Sequence, residues 1–209
     1  MGAAVTDGKG ARVLRRFFAY ISLAGLYVYF AHTHAAAFAE RPRLSVGMMV
    51  VIETLIIVAA VSRRDPQDMR RDWATLVTAA GGAFLPLFLR PVEGAQDLPV
   101  ATMIQLTGFC LQIGALISLR RSFGVLPADR GLVTDGLYGF VRHPLYLAYM
   151  LSQGGYMLNN PSAPNLALLT AATGFQLLRI RYEEDMLGRN GAYSSYAEGV
   201  SYRLLPGVW

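Results

Sequence analysis

The sequence predicts an all-α, polytopic integral membrane bundle of five to six spans, with both termini cytoplasmic. Three observations carry this. Hydrophobic residues make up 54% of the 209 and charged residues only 16%, against about 25% charged in an ordinary soluble domain. The apolar residues come in blocks near the roughly 20 residues that cross a hydrocarbon core. The 19 basic residues also fall unevenly between those blocks, in the way that sets orientation in a bilayer. Such a composition excludes a disordered chain. A net charge of +5 would suggest nucleic acid as partner in a soluble protein; here it reads as topology, and no nucleic-acid partner is expected. The one cysteine, Cys110, excludes an intrachain disulfide and a Cys-based metal cluster.

The first expected span covers residues 17–38. It follows Lys9, Arg12, Arg15 and Arg16 and ends Ala37-Phe38-Ala39, a small-residue pattern like a signal-peptidase site. Arg15-Arg16-Phe17-Phe18 also faintly resembles a twin-arginine signal. Its apolar run is longer than the roughly 7–15 residues of a cleavable segment, so a retained span is expected. The next spans are 44–61, 73–89 and 100–119. Gly81-Gly82 and Pro86 mark close contacts or a kink in the third. Two shorter apolar stretches follow, 145–158 and 165–178, separated by Asn159-Asn160-Pro161-Ser162-Ala163-Pro164. Asn and Pro there suit a chain reversal, so the pair reads as a hairpin, with full emergence on the far side left open.

With the N-terminus cytoplasmic, sixteen basic residues lie inside and only Arg41, Arg43 and Arg90 outside, in accord with the positive-inside rule. The inner segments are the longer and more charged ones. Chemistry is therefore expected in the bundle, at its cytoplasmic mouth, or in the last 90 or so residues. No strand–helix alternation and no Gly-x-Gly-x-x-Gly motif after a strand is present, so a Rossmann domain is not expected.

Three segments could carry chemistry. Residues 132–146 hold turn-forming Asp135-Gly136 and Gly139, then Arg142-His143-Pro144-Leu145-Tyr146. Pro144 suits the first turn of a helix, which puts Arg142 and His143 at a helix start, where free backbone N–H groups favour anions. Arg179-Ile180-Arg181-Tyr182-Glu183-Glu184-Asp185 lies where the sixth stretch leaves the membrane; alone, it reads as a solvated helix end with local ion pairs. Gly191-x-Tyr193-x-x-Tyr196 and Tyr202-Arg203-Leu204-Leu205-Pro206 form an amphipathic tail. Elsewhere, Glu53 near the middle of the second span is costly at that depth and marks a functional candidate. Its two readings are a hydrogen bond to another helix and a place in an acceptor cavity. His32 and His34 do not share a helix face, and no metal site is expected. Gln105, Gln112 and Gln153 read as interhelical hydrogen-bonding groups.

Taken in order, Arg-His-Pro-x-Tyr, Glu-Glu, Gly-x-Tyr-x-x-Tyr and a terminal Arg-x-Leu-Pro resemble the isoprenylcysteine carboxyl methyltransferase family and, more broadly, phospholipid methyltransferase-like membrane enzymes. The resemblance covers residues 122–209, with Ala148 where such enzymes commonly have Gly. It divides the chain into 1–121, four spans with acceptor specificity, and 122–209, a methyltransferase core with a cofactor-binding tail. It implies S-adenosyl-L-methionine as cofactor, contacted by Val133, Leu137, His143, Tyr146, Glu183, Glu184 and Tyr193. Arg142 and Glu184 take the catalytic roles, with Arg203 and Glu53 toward the substrate. The acceptor implied is the carboxylate of an isoprenylcysteine-like or other lipid acid. The alternatives are a phospholipid amine and, because the tail also resembles that of sterol reductases, a nicotinamide-dependent reduction. One lysine among many arginines suggests a bacterial or archaeal inner membrane, where a small lipid acid is the expected acceptor. Oligomeric state is not readable, since lipid-facing and partner-facing surfaces look alike.

Overall fold

Continuous apolar runs bounded by proline and polar caps give this chain its helices. The computed structural model describes residues 25–64, 68–69, 72–126, 128–189 and 191–209; the basic segment before the first span lies outside the described residues. Helix α1 is described over 25–40. It is followed by α2 Leu44–Ser62, α3 Trp73–Phe84, α4 Pro99–Leu119, α5 Pro144–Asn159, α6 Ala163–Leu187 and α7 Gly191–Gly199. Two of these, α2 and α4, are long and apolar enough to cross a membrane; Trp73–Phe88 is apolar but shorter. Pro99 and Pro144 open α4 and α5 at the first turn, where a missing N–H costs nothing. Asp72 and Ser162 cap α3 and α6 through Thr75 N and Asn165 N.

The third stretch is not a single helix. The α-helix ends at Phe84 and tightens into a 3₁₀ turn over Leu85–Phe88, as the Pro86 ring demands. The sixth element runs well past its apolar part to Leu187. A two-residue antiparallel ladder, Asp68–Met69 against Ala128–Asp129, is the strand pairing among the described residues. It clips the α2–α3 connection to the α4–α5 connection.

The elements sort to two ends. At one end, Asn160 Oδ1 accepts hydrogen bonds from Val92 N (3.1 Å) and Arg43 Nη1 (2.8 Å), and Asn159 Oδ1 accepts from Leu98 N (2.8 Å). Asn165 accepts from Arg90 N and donates to Arg90 O (3.1 and 2.8 Å). The α5–α6 hairpin therefore reaches the same end as the α1–α2 and α3–α4 connections. Asp97 locks that end: it accepts from Ser45 N, Ser45 Oγ and Arg43. Burial would raise its pKa, but the Ser45 and Arg43 hydrogen bonds and the Arg43 charge prevail and lower it. At the opposite end Arg64 N donates to Arg121 O (2.7 Å) and Arg130 Nε to Arg64 O (3.3 Å). Arg41, Arg43 and Arg90 are thus grouped apart from the basic residues flanking the Arg-His-Pro segment.

Helices α4 and α5 form the most extensive pair, and small residues make it possible. A Cβ at Gly108 would lie 2.9 Å from Ala148 O and strike the Ser152 backbone; one at Gly155 would lie 2.7 Å from Ala101 O and strike Gln105 N. Ala148 is itself fully buried, so its methyl is accommodated where glycine is usual. Gly108→Ala and Gly155→Ala should each cost about 1–3 kcal/mol through overpacking, read as a fall in thermal midpoint of the purified protein in detergent. Gly174→Ala, where nothing lies within 4 Å, is the control and should be neutral or stabilising.

Candidate active site

The Arg-His-Pro step stops the loop and starts α5, bringing Arg142 and His143 to the C-terminal end of α6. There Glu184 gathers three basic side chains. Its Oε1 lies 3.1 Å from His143 Nε2 and 3.3 Å from Arg142 Nε, and its Oε2 accepts from Arg203 Nε at 2.7 Å. With Glu184 ionised, His143 Nε2 carries the proton. Burial alone would push the Glu184 pKa up; hydrogen bonds from His143 and Arg203 and the charges of His143 and Arg142 outweigh it, lowering it from 4.5 to about 2. Tyr193, beside this carboxylate, is pushed the other way by burial and the Glu184 charge.

The tail is tied to the same point. Arg142 N and His143 N donate to Tyr202 O and Arg203 O at 2.9 and 2.8 Å, and Arg203 N donates to Trp209 O at 2.7 Å. The Arg203 guanidinium lies 5.0 Å from the centre of the Trp209 ring, within cation–π range. This corrects one expectation: the Arg142 and His143 amides are not free for an anion, because the tail carbonyls occupy them.

Two cavities meet beside this cluster. The smaller, about 490 Å³ with its mouth, is lined by Arg130, Val133, Arg142, Leu187, Tyr193 and Tyr196 among others. The larger, about 940 Å³ with its mouth, runs inward between α2, α3, α4, α5 and α6, past Ile52, Ile56, Leu87, Phe123, Leu145 and Tyr149. Leu119, Ser122, Tyr138, His143 and Glu183 line both. Tyr146 donates to Glu183 Oε2 at 2.8 Å, and its ring stands edge-on to His143, centroids 5.6 Å apart. Burial first, then the Glu183 charge, hold the Tyr138 pKa well above its ordinary value, and its carbonyl accepts from the Tyr196 hydroxyl at 2.6 Å.

The candidates read from the sequence separate accordingly. Val133, Arg142 and Tyr193 line the smaller cavity, Tyr146 and Glu53 the larger, and His143 and Glu183 both. Glu184 and Arg203 line neither; they form the ionic support behind Arg142 and His143. Leu137 also faces neither: its amide donates to Ser118 Oγ (3.4 Å) and its carbonyl accepts from Phe140 N (3.2 Å), so its backbone is already satisfied.

Glu53 is buried and engaged with another helix. It lines the larger cavity and pairs with His34, Nδ1 to Oε1 3.0 Å. His34 Nε2 lies 3.0 Å from Leu89 O; a carbonyl only accepts, so Nε2 bears hydrogen. Among the described residues no group of three His, Cys, Asp or Glu side chains converges as a metal site.

The residue that sequence reading missed is Arg179. It was counted as part of a solvated helix end, yet it is 5% exposed and lines the larger cavity. Its Nη2 donates to Val125 O at 2.7 Å and its guanidinium lies 5.2 Å from the Tyr146 ring centre. The available signal was spacing: Gln176, Arg179 and Glu183 share one helix face.

Residues 101–189 match the model of the isoprenylcysteine carboxyl methyltransferase (ICMT) family. Protein-S-isoprenylcysteine O-methyltransferase A of Arabidopsis thaliana is 33% identical over 105 residues, covering 46% of this chain and 53% of that protein. The chain thus spans about half the length of the curated relative it matches. The ICMT match takes in Val133, Arg142, His143, Tyr146, Arg179, Glu183 and Glu184 and stops before Tyr193 and Arg203, whose place at the site rests on geometry.

Because the Glu184 pKa lies below its unfolded value, the stability it contributes is present above about pH 4.5 and is lost as pH falls toward about 2. Glu184→Gln should flatten the fall in thermal midpoint between pH 5 and pH 3 while lowering the midpoint at pH 7. It should also expose the tail to limited proteolysis. An unchanged pH profile would show that this carboxylate does not hold the cluster.

Proposed function

We propose that this chain is an S-adenosylmethionine-dependent integral membrane methyltransferase acting on the carboxylate of a lipophilic acceptor, an isoprenylcysteine-like or other lipid acid. The observation that carries the reading is the pair of cavities with a shared wall at Tyr138, His143 and Glu183. The smaller is lined mainly by polar and charged side chains; the larger adds to its own tyrosines and charges an apolar wall of Ile52, Ile56, Leu87 and Leu145. A polar methyl donor and a greasy methyl acceptor need such a meeting point. The ICMT match and the name of the plant relative support the same reading.

The smaller cavity fits S-adenosylmethionine by the chemistry of its donor set. Arg142 is positioned for a carboxylate; its Nε is buried and makes no hydrogen bond despite the nearby Glu184. Glu183 suits an ammonium or ribose hydroxyls, and Tyr193 and Tyr196 offer faces to an adenine ring or a sulfonium. When bound, the cofactor supplies a methyl group on a positively charged sulfur.

The chain's own residues then have mainly a positioning task. Carboxylates are already ionised near neutral pH, so no base is required. With S-adenosylmethionine held by Arg142 and Glu183, its methyl group would pass to a carboxylate oxygen with the methyl–sulfur electron pair left on sulfur, and the chain's residues would move no proton. His143 is held against rotation by Glu184 and by the Tyr146 ring edge, and the tail residues wall the site from water. An amine acceptor would need a base. Glu183, which faces both cavities, is the carboxylate placed for that; Glu184, with a pKa near 2, is not.

The same reading orients the bundle. Six elements alternate between two ends, consistent with five to six spans and both termini cytoplasmic. The Arg-His-Pro end then faces the cytoplasm, the side of a prokaryotic inner membrane where the cofactor is made. The acceptor enters laterally from the bilayer.

Calorimetry on the detergent-purified chain should show binding of S-adenosylhomocysteine and none of NADPH. His143→Ala should abolish that binding with the fold retained. Radiolabelled methyl transfer over lipid extracts should then yield a base-labile ester. Binding of NADPH alone would overturn the reading in favour of a reductase, and a base-stable labelled product would move it to an amine acceptor.

A further inference from the structure

Resting on this reading, we infer that Arg179 is the anchor for the acceptor's carboxylate. Arg142 and Arg203, the arginines that the sequence offers for the task, are placed elsewhere. Both are bound to Glu184, Arg203 lines neither cavity, and Arg142 lines only the polar one. Arg179 is the Arg or Lys side chain that lines the larger cavity among the described residues.

Its surroundings are those of a built anion site. A guanidinium has five N–H donors and no acceptor. Nη2 is engaged with Val125 O, while the buried Nε has no hydrogen-bond partner. No carboxylate lies within ion-pair distance of it among the described residues: Glu53 and Glu183 line the same cavity but are engaged by His34 and Tyr146, and an enclosed guanidinium without a direct partner is costly unless a ligand supplies one. Two further polar groups on the same cavity wall are buried to within 1% and lack hydrogen-bond partners: the Gln112 amide and Ser152 Oγ. Buried polar groups are normally satisfied, so three such groups on one cavity wall point to a polar ligand atom set. Gly82 completes the arrangement, since a Cβ there would come within 3.0 Å of Arg179 Cδ.

The direction is right as well. Arg179 lies over the face of Tyr146, whose edge meets His143, and whose hydroxyl reaches Glu183. The guanidinium is therefore one aromatic ring from the wall shared with the polar cavity. The ligand class is an anionic amphiphile: a carboxylate head on Arg179, adjacent polar atoms on Gln112 and Ser152, and an alkyl or prenyl chain against Ile52, Ile56 and Leu87.

The test compares N-acetyl-S-prenylcysteine with its carboxamide, on the full chain in detergent or vesicles. In the wild type the carboxamide should compete at least about tenfold more weakly than the acid, as a charge-assisted bond to arginine requires. Arg179→Gln should raise the acceptor KM by a similar factor and erase the acid-over-amide preference, leaving S-adenosylhomocysteine affinity unchanged. Arg179→Lys should restore part of the preference. A wild type that binds acid and amide equally overturns the inference, as does Arg179→Gln with an unchanged acceptor KM. Should Arg179→Gln fail to fold, the wild-type ratio and the lysine variant decide. Failure of the function itself would look different: no S-adenosylhomocysteine binding and no transfer to any acid in the wild type.

Discussion

The site depends on one carboxylate. Glu184 closes α6 with a charge that the C-terminal end of a helix disfavours. Arg142, His143 and Arg203 compensate it at 3.3, 3.1 and 2.7 Å. Those three come from the loop, the start of α5 and the tail, so a single anion joins three separate stretches of the chain beside the polar cavity. The backbone repeats the connection: Tyr202 O and Arg203 O receive the very amides that precede α5. Charge-assisted bonds of this kind are the strong ones, and with the group half-enclosed they are only partly screened. The cluster sets three basic groups against one carboxylate and so supports the polar cavity from behind.

A second polar clamp holds the other end. Arg43, Asp97, Asn159, Asn160 and Asn165 tie three connections together across sequence separations of more than 50 residues. Between the two clamps the packing is close and apolar, with Gly108 and Gly155 letting α4 and α5 touch backbone to backbone. The driving force for association within a bilayer is weak for apolar faces alone, so clamped ends and small-residue contacts are what define the bundle.

Most of the helical framework was legible in the sequence because it rests on local rules. The stretches 44–61 and 100–119 became Leu44–Ser62 and Pro99–Leu119, and Pro144 sits at the first turn of α5 as its ring requires. A helix end over 179–185 was legible, but what its side chains face was not. Charges at 179–185 end an apolar run, but Arg, Glu, Met and Leu are good helix formers, so the helix continues. The same local view made Arg179 a solvated residue, because composition counts a charge without seeing what it faces. The His34–Glu53 pair and the capture of the Arg142 amides by the tail were likewise hidden; both join residues that no spacing rule connects.

The basic excess takes on a different meaning once the contacts are known. It first reads as orientation, and the grouping of Arg41, Arg43 and Arg90 at the far end agrees with that. Yet the arginines at the Arg-His-Pro end divide by role. Arg64, Arg121 and Arg130 hold connecting segments to one another through backbone carbonyls. Arg142 and Arg203 hold Glu184. Among the described residues Arg179 is the arginine that lines the larger cavity, where Glu53 and Glu183 share the wall but neither forms an ion pair with it. A bilayer-embedded protein keeps such a charge only at a cost. The cost makes sense if the missing partner arrives with each acceptor, because the same interaction then orients the acceptor's head toward the shared wall and rejects neutral lipids of similar shape.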